Sequence, residues 1–240
     1  MAVTLDLGFA LTWLGHNSFK LETRAGRTVL LDPWVESNPA TPEASKRFDA
    51  IDVITISHGH GDHMADAVTL AKKFRPAVVC NYEIHVWLQG KGVAGTKPMN
   101  KGGTQELAGI RFTMVHAVHS SGIEDGGQMV YGGEACGYVL TLEDGTRVYH
   151  AGDTAVHSDM ALIGELYRPD VALLPIGDHF TMSPREAAVA ARLLQPRVIV
   201  PAHFGTFPVL TGTPEALRAE LQRQQVHAEV IVLRPGDTLR

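Results

Sequence analysis

The sequence predicts a mixed α/β fold in which two mixed sheets face each other with helices outside. Three observations carry this expectation. Short apolar runs that read as strands alternate with helix signals along the chain. The two halves share one rhythm, strands first and then strand and helix in turn. No linker or low-complexity segment divides them, so residues 1–240 read as a single domain. Helices outside two sheets cover both faces of each sheet.

The elements follow in order. Residues 10–14 and 18–22 are apolar or alternating and read as strands, and Thr28-Val29-Leu30-Leu31 follows a turn at Ala25-Gly26. A Pro- and Ser-containing loop runs from Pro33 to about Ser45. Residues 51–56 form a buried strand, followed by a His-rich loop and a helix over 65–74 that stops before Pro76. Residues 77–80 read as a short strand and 82–88 as a helix.

In the second half, residues 110–118 and 137–142 are expected strands, and Asp144-Gly145 signals a hairpin into 147–150. Residues 158–166 look helical and 171–175 extended. Ser183 and Thr213 each precede a proline, the pattern of a helix N-cap with proline at the first position. Residues 198–200 and 229–233 complete the expected strands.

Composition narrows the function. The chain carries 21 Lys plus Arg against 26 Asp plus Glu, a formal charge of −5. Nucleic acid is not an expected partner, because nonspecific binding needs a basic footprint. Cys80 and Cys136 stand far apart in apolar or small-residue surroundings and read as buried structural thiols. No run reaches the ~18 apolar residues of a membrane span and no signal peptide is evident, so a cytoplasmic protein with no membrane association is expected.

The chemistry concentrates at His58-Gly59-His60-Gly61-Asp62-His63, three imidazoles and a carboxylate within six residues at the end of a buried strand. These are nitrogen and oxygen donors of the kind zinc takes. Histidines at i and i+2 of an extended loop point the same way, so His58 and His60 are expected to share one ion. A tight turn through Gly59 and Gly61 would let Asp62 and His63 reach a second. His119, Asp153 and His203 each stand where an expected strand opens into a loop, and side chains at one end of several strands converge. They complete two three-ligand sites sharing one carboxylate. His116, inside an apolar run, reads as a strand histidine. His85, His157 and His227 lie on expected helices and read as surface groups.

The pattern His-x-His-x-Asp-His followed by single His, Asp and His residues resembles the metallo-β-lactamase superfamily. Leu14-Gly15-His16-Asn17-Ser18-Phe19, Leu31-Asp32-Pro33, Asn81-Tyr82-Glu83, Tyr149-His150-Ala151-Gly152-Asp153-Thr154, Leu174-Pro175-Ile176-Gly177-Asp178 and Phe180-Thr181-Met182 are similar to one branch of it. That branch comprises small metal-dependent hydrolases related to L-ascorbate-6-phosphate lactonases, and the likeness runs from about residue 10 to 210. It implies an αββα sandwich. His58, His60 and His119 would hold one ion, and Asp62, His63 and His203 the other, with Asp153 bridging. It also implies that Asp32 orients a ligand histidine. The sequence Pro201-Ala202-His203-Phe204 departs from the related Pro-x-His-Tyr pattern. The histidine is kept, and the wall facing the substrate is expected to differ.

The resulting expectation is a hydrolase with two divalent ions, Zn²⁺ before Mn²⁺ or Fe²⁺. A metal-bridging hydroxide would act on a small ester, lactone or phosphorylated metabolite. Asp62 and Asp153 would orient that hydroxide, and His179, after a buried strand, would stabilise a developing oxyanion. His16 reads equally as a surface turn residue and as a site residue. Trp34 reads as packing. Gly126-Gly127 and Gly132-Gly133 flank a loop expected to cover the site. A phosphodiesterase or nuclease of the same superfamily and a noncatalytic metal or ligand sensor are the rival readings. A homo-oligomer stays open.

Overall fold

Three apolar runs form an antiparallel meander: β1 (Phe9–Gly15), β2 (Ser18–Thr23) and β3 (Thr28–Leu31). The computed structural model describes residues 7–240. Beyond the meander the chain turns to parallel pairing through β4 (Val53–Thr55), β5 (Ala77–Cys80) and β6 (Thr96–Pro98). The intervening helices are α1 (Gly61–Met64), α2 (Ala67–Phe74) and α3 (Tyr82–Gly90).

The second half repeats the scheme. Antiparallel pairing links β7 (Thr104–Leu107) to β8 (Ile110–His116), β8 to β11 (Cys136–Thr141), and β11 to β12 (Arg147–His150). A hairpin of β9 (Gly122–Asp125) and β10 (Gln128–Tyr131) is inserted between β8 and β11. Parallel pairing then joins β12 to β13 (Val171–Pro175), β14 (Val198–Ala202) and β15 (Glu229–Val230), with α4 (Met160–Tyr167), α5 (Pro184–Leu194) and α6 (Pro214–Arg223) between them. β16 (Thr238–Leu239) returns to pair with β1.

Two seven-stranded sheets result, in the orders β16-β1-β2-β3-β4-β5-β6 and β15-β14-β13-β12-β11-β8-β7. Phe19, Leu21, Phe112, Tyr138 and Val200 pack between them. On the outer face of the first sheet, Leu70, Ile84 and Leu88 of α2 and α3 cover Ile54 and Val78. On that of the second, Met160, Ala187 and Leu217 of α4 to α6 cover Leu174 and Ile199. The layers are helix, sheet, sheet, helix, as the sequence implies. Among the described residues, no helix is long and apolar enough to cross a membrane.

The cap signals form as expected. Ser183 and Glu186 close a capping box, and Thr213 accepts from the amide of Ala216. The expected strand over 51–56 shortens to β4, and that over 229–233 to β15. β6, β7, β9, β10 and β16 carry no apolar signal strong enough to anticipate; β10 is exposed along its whole length. Gly126 and Gly127, at φ 60° and 81°, make the β9–β10 turn, and the stretch between them and Gly132-Gly133, expected as a loop over the site, is the strand β10.

Candidate metal centre

The ligand candidates gather where strands of both sheets end. β4 runs into Ser57 and His58, β8 into His119, β12 into Asp153 and β14 into His203, while β1 and β3 deliver His16 and Asp32. Among the described residues, two groups of donor atoms form here, besides the sets of Asp32, His58 and His63 and of His116, His157 and Asp159. One is His58, His60 and His119; the other is His16, Asp62, His63 and His203.

The segment 58–63 reaches this geometry by another route than the expected glycine turn. Neither Gly59 nor Gly61 has a positive φ. His60 precedes α1, whose single helical turn carries Asp62 and His63. Gly59 is required by space instead, because a Cβ there would lie 2.8 Å from the carbonyl oxygen of Ser121. Gly152 is required twice over: its φ is 62°, and a Cβ would lie 2.7 Å from that of Ser57.

Hydrogen bonds fix which nitrogen of each histidine faces inward. Asp32 Oδ2 can only accept, so His63 Nδ1, 2.8 Å away, carries the proton. Ser57 donates its hydroxyl to the same oxygen at 2.6 Å and its amide to Oδ1 at 2.7 Å. The Ser57 Oγ is then free to accept from His58 Nδ1 at 3.0 Å. His60 Nε2 lies 3.1 Å from Ser120 Oγ. His58 Nε2 then lies 3.0 Å from His60 Nδ1, both turned inward. His63 Nε2 lies 3.2 Å from Asp153 Oδ1, and His203 Nε2 3.0 Å from Asp153 Oδ2, yet neither buried nitrogen makes a hydrogen bond. Inward-turned ring nitrogens, two of them buried and unpartnered beside a carboxylate, are what a cation resolves. The residues present fit divalent metal.

Burial and the two inner carboxylates set the electrostatics of this group. Burial pushes His58, His60 and His119 below the ordinary histidine range, so their lone pairs are available at neutral pH. Burial also opposes protonation of His63, but Asp153 and Asp32 outweigh it and raise that residue well above. Burial disfavours the charged form of Asp153, while His203 and His63 hold its carboxyl well below the usual range.

His16 belongs to this centre. It is fully buried with φ 55°, and its Nε2 lies 3.1 Å from Asp62 Oδ2. Burial lowers its pKa to about 4, so the ring is neutral, donating to Asp62 and accepting from Thr206 Oγ1 at 3.0 Å. His179 does not join the group. It is exposed at φ 57°, and its ring sits edge-on to Phe180 at 4.4 Å. Phe180 is the residue of that loop that lines the cavity over the centre. This cavity, of about 290 Å³, is otherwise walled by His60, Asp62, His119, Asp153, His203 and Ser120. A larger cleft of about 650 Å³ beside Arg218 and Val230 contains none of the clustered donors.

Other expectations resolve. His116 is a half-buried strand residue beside Lys101 Nζ at 3.1 Å. Trp34 is buried, packing edge-on to His16. His227 is exposed, but His157 precedes α4, and its buried ring nitrogens face no partner beside His116. His85 is half-buried on α3 and reaches Thr96 Oγ1 at 2.7 Å. Phe204 stacks on Trp13 at 5.0 Å, toward the core rather than the cavity. Asn17 and His150, which stand in the sequence only inside longer motifs, emerge as supports of the centre. Asn17 donates to Asp153 Oδ1 at 3.0 Å, and its own Oδ1 lies 3.3 Å from His150 Nε2.

Known proteins match this architecture. The beta-lactamase superfamily domain matches residues 10–203. A protein of Koribacter versatilis named a UPF0173 metal-dependent hydrolase is 56% identical over 98% of this chain and 99% of its own length. One of the same name from Methanopyrus kandleri is 46% identical over 95% and 98%. This chain belongs to the UPF0173 metal-dependent hydrolases of the beta-lactamase superfamily. The UPF0173 fold is close to that of Igni18, a metallo hydrolase of Ignicoccus hospitalis. The TM-score is 0.85 at 34% identity, over 96% of this chain and 97% of that one. A metallo-beta-lactamase fold protein of Bacillus subtilis shares the fold alone, with TM-score 0.70 at 15% identity over 96% and 98%.

Proposed function

We propose that this metal-dependent hydrolase is dinuclear and acts on a small ester, lactone or phosphorylated metabolite. The observation that carries the reading is the reach of Asp153. Its Oδ1 lies 3.2 Å from His63 Nε2, and its Oδ2 lies 3.0 Å from His203 Nε2 and 3.6 Å from His119 Nε2, so one carboxylate spans both donor groups. His58, His60 and His119 would hold one ion; Asp62, His63 and His203 would hold the other, with Asp153 shared. The histidine-rich donor set suits Zn²⁺, with Mn²⁺ and Fe²⁺ as alternatives.

Divalent ions bound there would bring water to ionisation near neutral pH and polarise the scissile oxygen. The protein's own residues supply the rest. Asp62 is half-buried at the cavity; burial opposes its ionisation, but the hydrogen bond from His16 holds its carboxyl well below the usual range. It is therefore ionised and would orient the attacking water, and His16 and Thr206 keep it aimed. Asp153, with Asn17 donating to it, stays ionised between the two histidine groups.

Elemental analysis of the purified protein with a panel of esters, lactones and phosphodiesters tests this reading. The expected result is two metal equivalents and turnover of a panel member, with His58→Ala losing at least one equivalent and the activity. Full metal content and full turnover in His58→Ala would overturn it. A single equivalent in the fully loaded native protein would overturn the dinuclear form.

A further inference from the structure

A second cluster of donors lies outside the centre already described. His116 ends β8, and His157 and Asp159 stand just before α4. One donor atom from each falls within 4.8 Å of the other two, and the rings of His116 and His157 meet edge-on at 5.0 Å. Around a divalent ion held at ~2.0–2.1 Å, tetrahedral ligand atoms stand about 3.4 Å apart. Side-chain rotation closes the difference, and Asp159, exposed and 3.4 Å from Ser158 Oγ, has room to turn. His157 shows what the cluster lacks. Both nitrogens of its ring are buried, and neither makes a hydrogen bond among the described residues. A neutral imidazole has one donor and one acceptor, and burying them unpaired costs stability. Burial and then His116 push this ring below the ordinary histidine range, against the pull of Asp159, so its lone pair is available at neutral pH.

His116 is engaged differently. Lys101 Nζ lies 3.1 Å from its Nδ1 and 2.8 Å from Glu134 Oε2. An ammonium only donates, so Nδ1 accepts and the ring proton sits on Nε2. A neutral imidazole bound to a metal carries its proton on the nitrogen opposite the metal. Whichever nitrogen takes the ion, Lys101 must leave Nδ1, and Glu134 is in place to keep it. Backbone bonds link the cluster to the hydrolytic centre. The amide of Val118 donates to Thr154 Oγ1 at 3.0 Å, and that of Ala155 to the Val118 carbonyl at 3.0 Å. His116 and His157 flank this double link on one side, and His119 and Asp153 adjoin it on the other.

We propose that His116, His157 and Asp159 form a further metal site, separate from the hydrolytic centre, that pins together the segments carrying His119 and Asp153. Two imidazoles and one carboxylate suit a borderline divalent ion such as zinc over magnesium or calcium. The exposed carboxylate and the competing ammonium make this the weaker site. Dialysed protein therefore loses its ion while the hydrolytic centre keeps its own. The site does not depend on whether that centre holds one ion or two.

The test is zinc titration of tag-free protein, loaded at its centre and dialysed, followed by calorimetry and elemental analysis. Wild type should take up one further equivalent, and its melting temperature should rise as free zinc passes the dissociation constant. His157→Ala and Asp159→Ala should lose that equivalent and keep the dialysed metal content. Lys101→Met should bind it about fivefold tighter, the worth of one hydrogen bond no longer displaced. Should His157→Ala fail to fold, Asp159→Ala, at an exposed position, carries the comparison. Equal zinc uptake and affinity in wild type and the Asp159 or His157 variant overturns the site. So does the lack of any uptake beyond the dialysed content in both wild type and Lys101→Met. A centre found to hold one ion changes the dialysed baseline and not the difference between variants, so the dinuclear reading can fail while this site stands.

Discussion

The Nδ1 atom of His63 lies 2.8 Å from Oδ2 of Asp32, and both side chains are fully buried. That bond keeps the Nδ1 proton of His63 directed at Asp32 and turns its Nε2 toward Asp153. The same carboxylate reaches His58 through Ser57, so one buried acid aligns histidines of both donor groups. Asp32→Asn keeps the shape but leaves one amide nitrogen where an acceptor is needed. Metal affinity at the group containing His63 is expected to fall 10- to 100-fold, the usual cost of losing an outer partner of a ligand. The group containing His58, reached through Ser57, should lose less. Chelator competition on wild type and variant checks this, and equal affinity in both would show that Asp32 serves folding only.

Asn17 joins two residues from the other sheet. Its amide donates to Asp153 and its carbonyl faces His150, all three buried. Asn17→Ala leaves a buried carboxylate oxygen and a buried ring nitrogen without that partner. The expected loss is about 1–3 kcal/mol of stability, read by denaturant titration. A looser Asp153 should also weaken metal binding beyond what the stability loss explains. If stability falls while affinity and turnover hold, Asn17 only ties the sheets together.

The sequence carried the layers of the fold and most of the donor set, for one reason. β3, β5 and β13 are short, mainly apolar runs buried on both faces, and burial leaves a strong pattern. Ligand histidines beside such runs stand out because nothing in strand packing calls for them. The supports were harder to see. His16 and Asn17 lie in a tight turn between β1 and β2, where polar residues are ordinary. Only the approach of the second sheet, which brings Asp153, His203 and Thr206 against that turn, gives them a role. Phe180 was legible as a motif member and not as a wall, because its direction depends on two left-handed residues that no local pattern announces.

The two cysteines give a prediction in alkali. Burial pushes the Cys136 thiol up to about 12 and raises Cys80 in the same direction. At pH 8 the folded protein therefore offers almost no thiolate, and iodoacetamide should label it only after unfolding. The linkage sign follows from the same shift. An unfolded thiol ionises near pH 8.5, whereas the folded one holds its proton, so the stabilisation is fully present below that pH and is lost as pH rises toward about 12. Tyr138 and Tyr149, also raised by burial, add to the loss at the high end. The melting temperature should fall steadily above about pH 9. Rapid labelling of the native protein at pH 8 would show that these thiols are accessible after all.

His179 separates a catalytic loop from a presenting one. If its imidazole stabilised a developing oxyanion, replacing it would cost about 10²–10³ in kcat. The ring is exposed and edge-on to Phe180, outside the cavity wall, and the residue's left-handed backbone is what aims that phenyl group. Asparagine tolerates the left-handed region well. His179→Asn should therefore keep the loop and leave kcat within about twofold, measured on any substrate the protein turns over. His179→Val, β-branched and strained at φ 57°, should raise KM by disturbing Phe180 while changing kcat little. A hundredfold fall in kcat for the asparagine variant, with KM unchanged, would return the imidazole to the chemistry and remove the reason for treating this loop as a mount for Phe180.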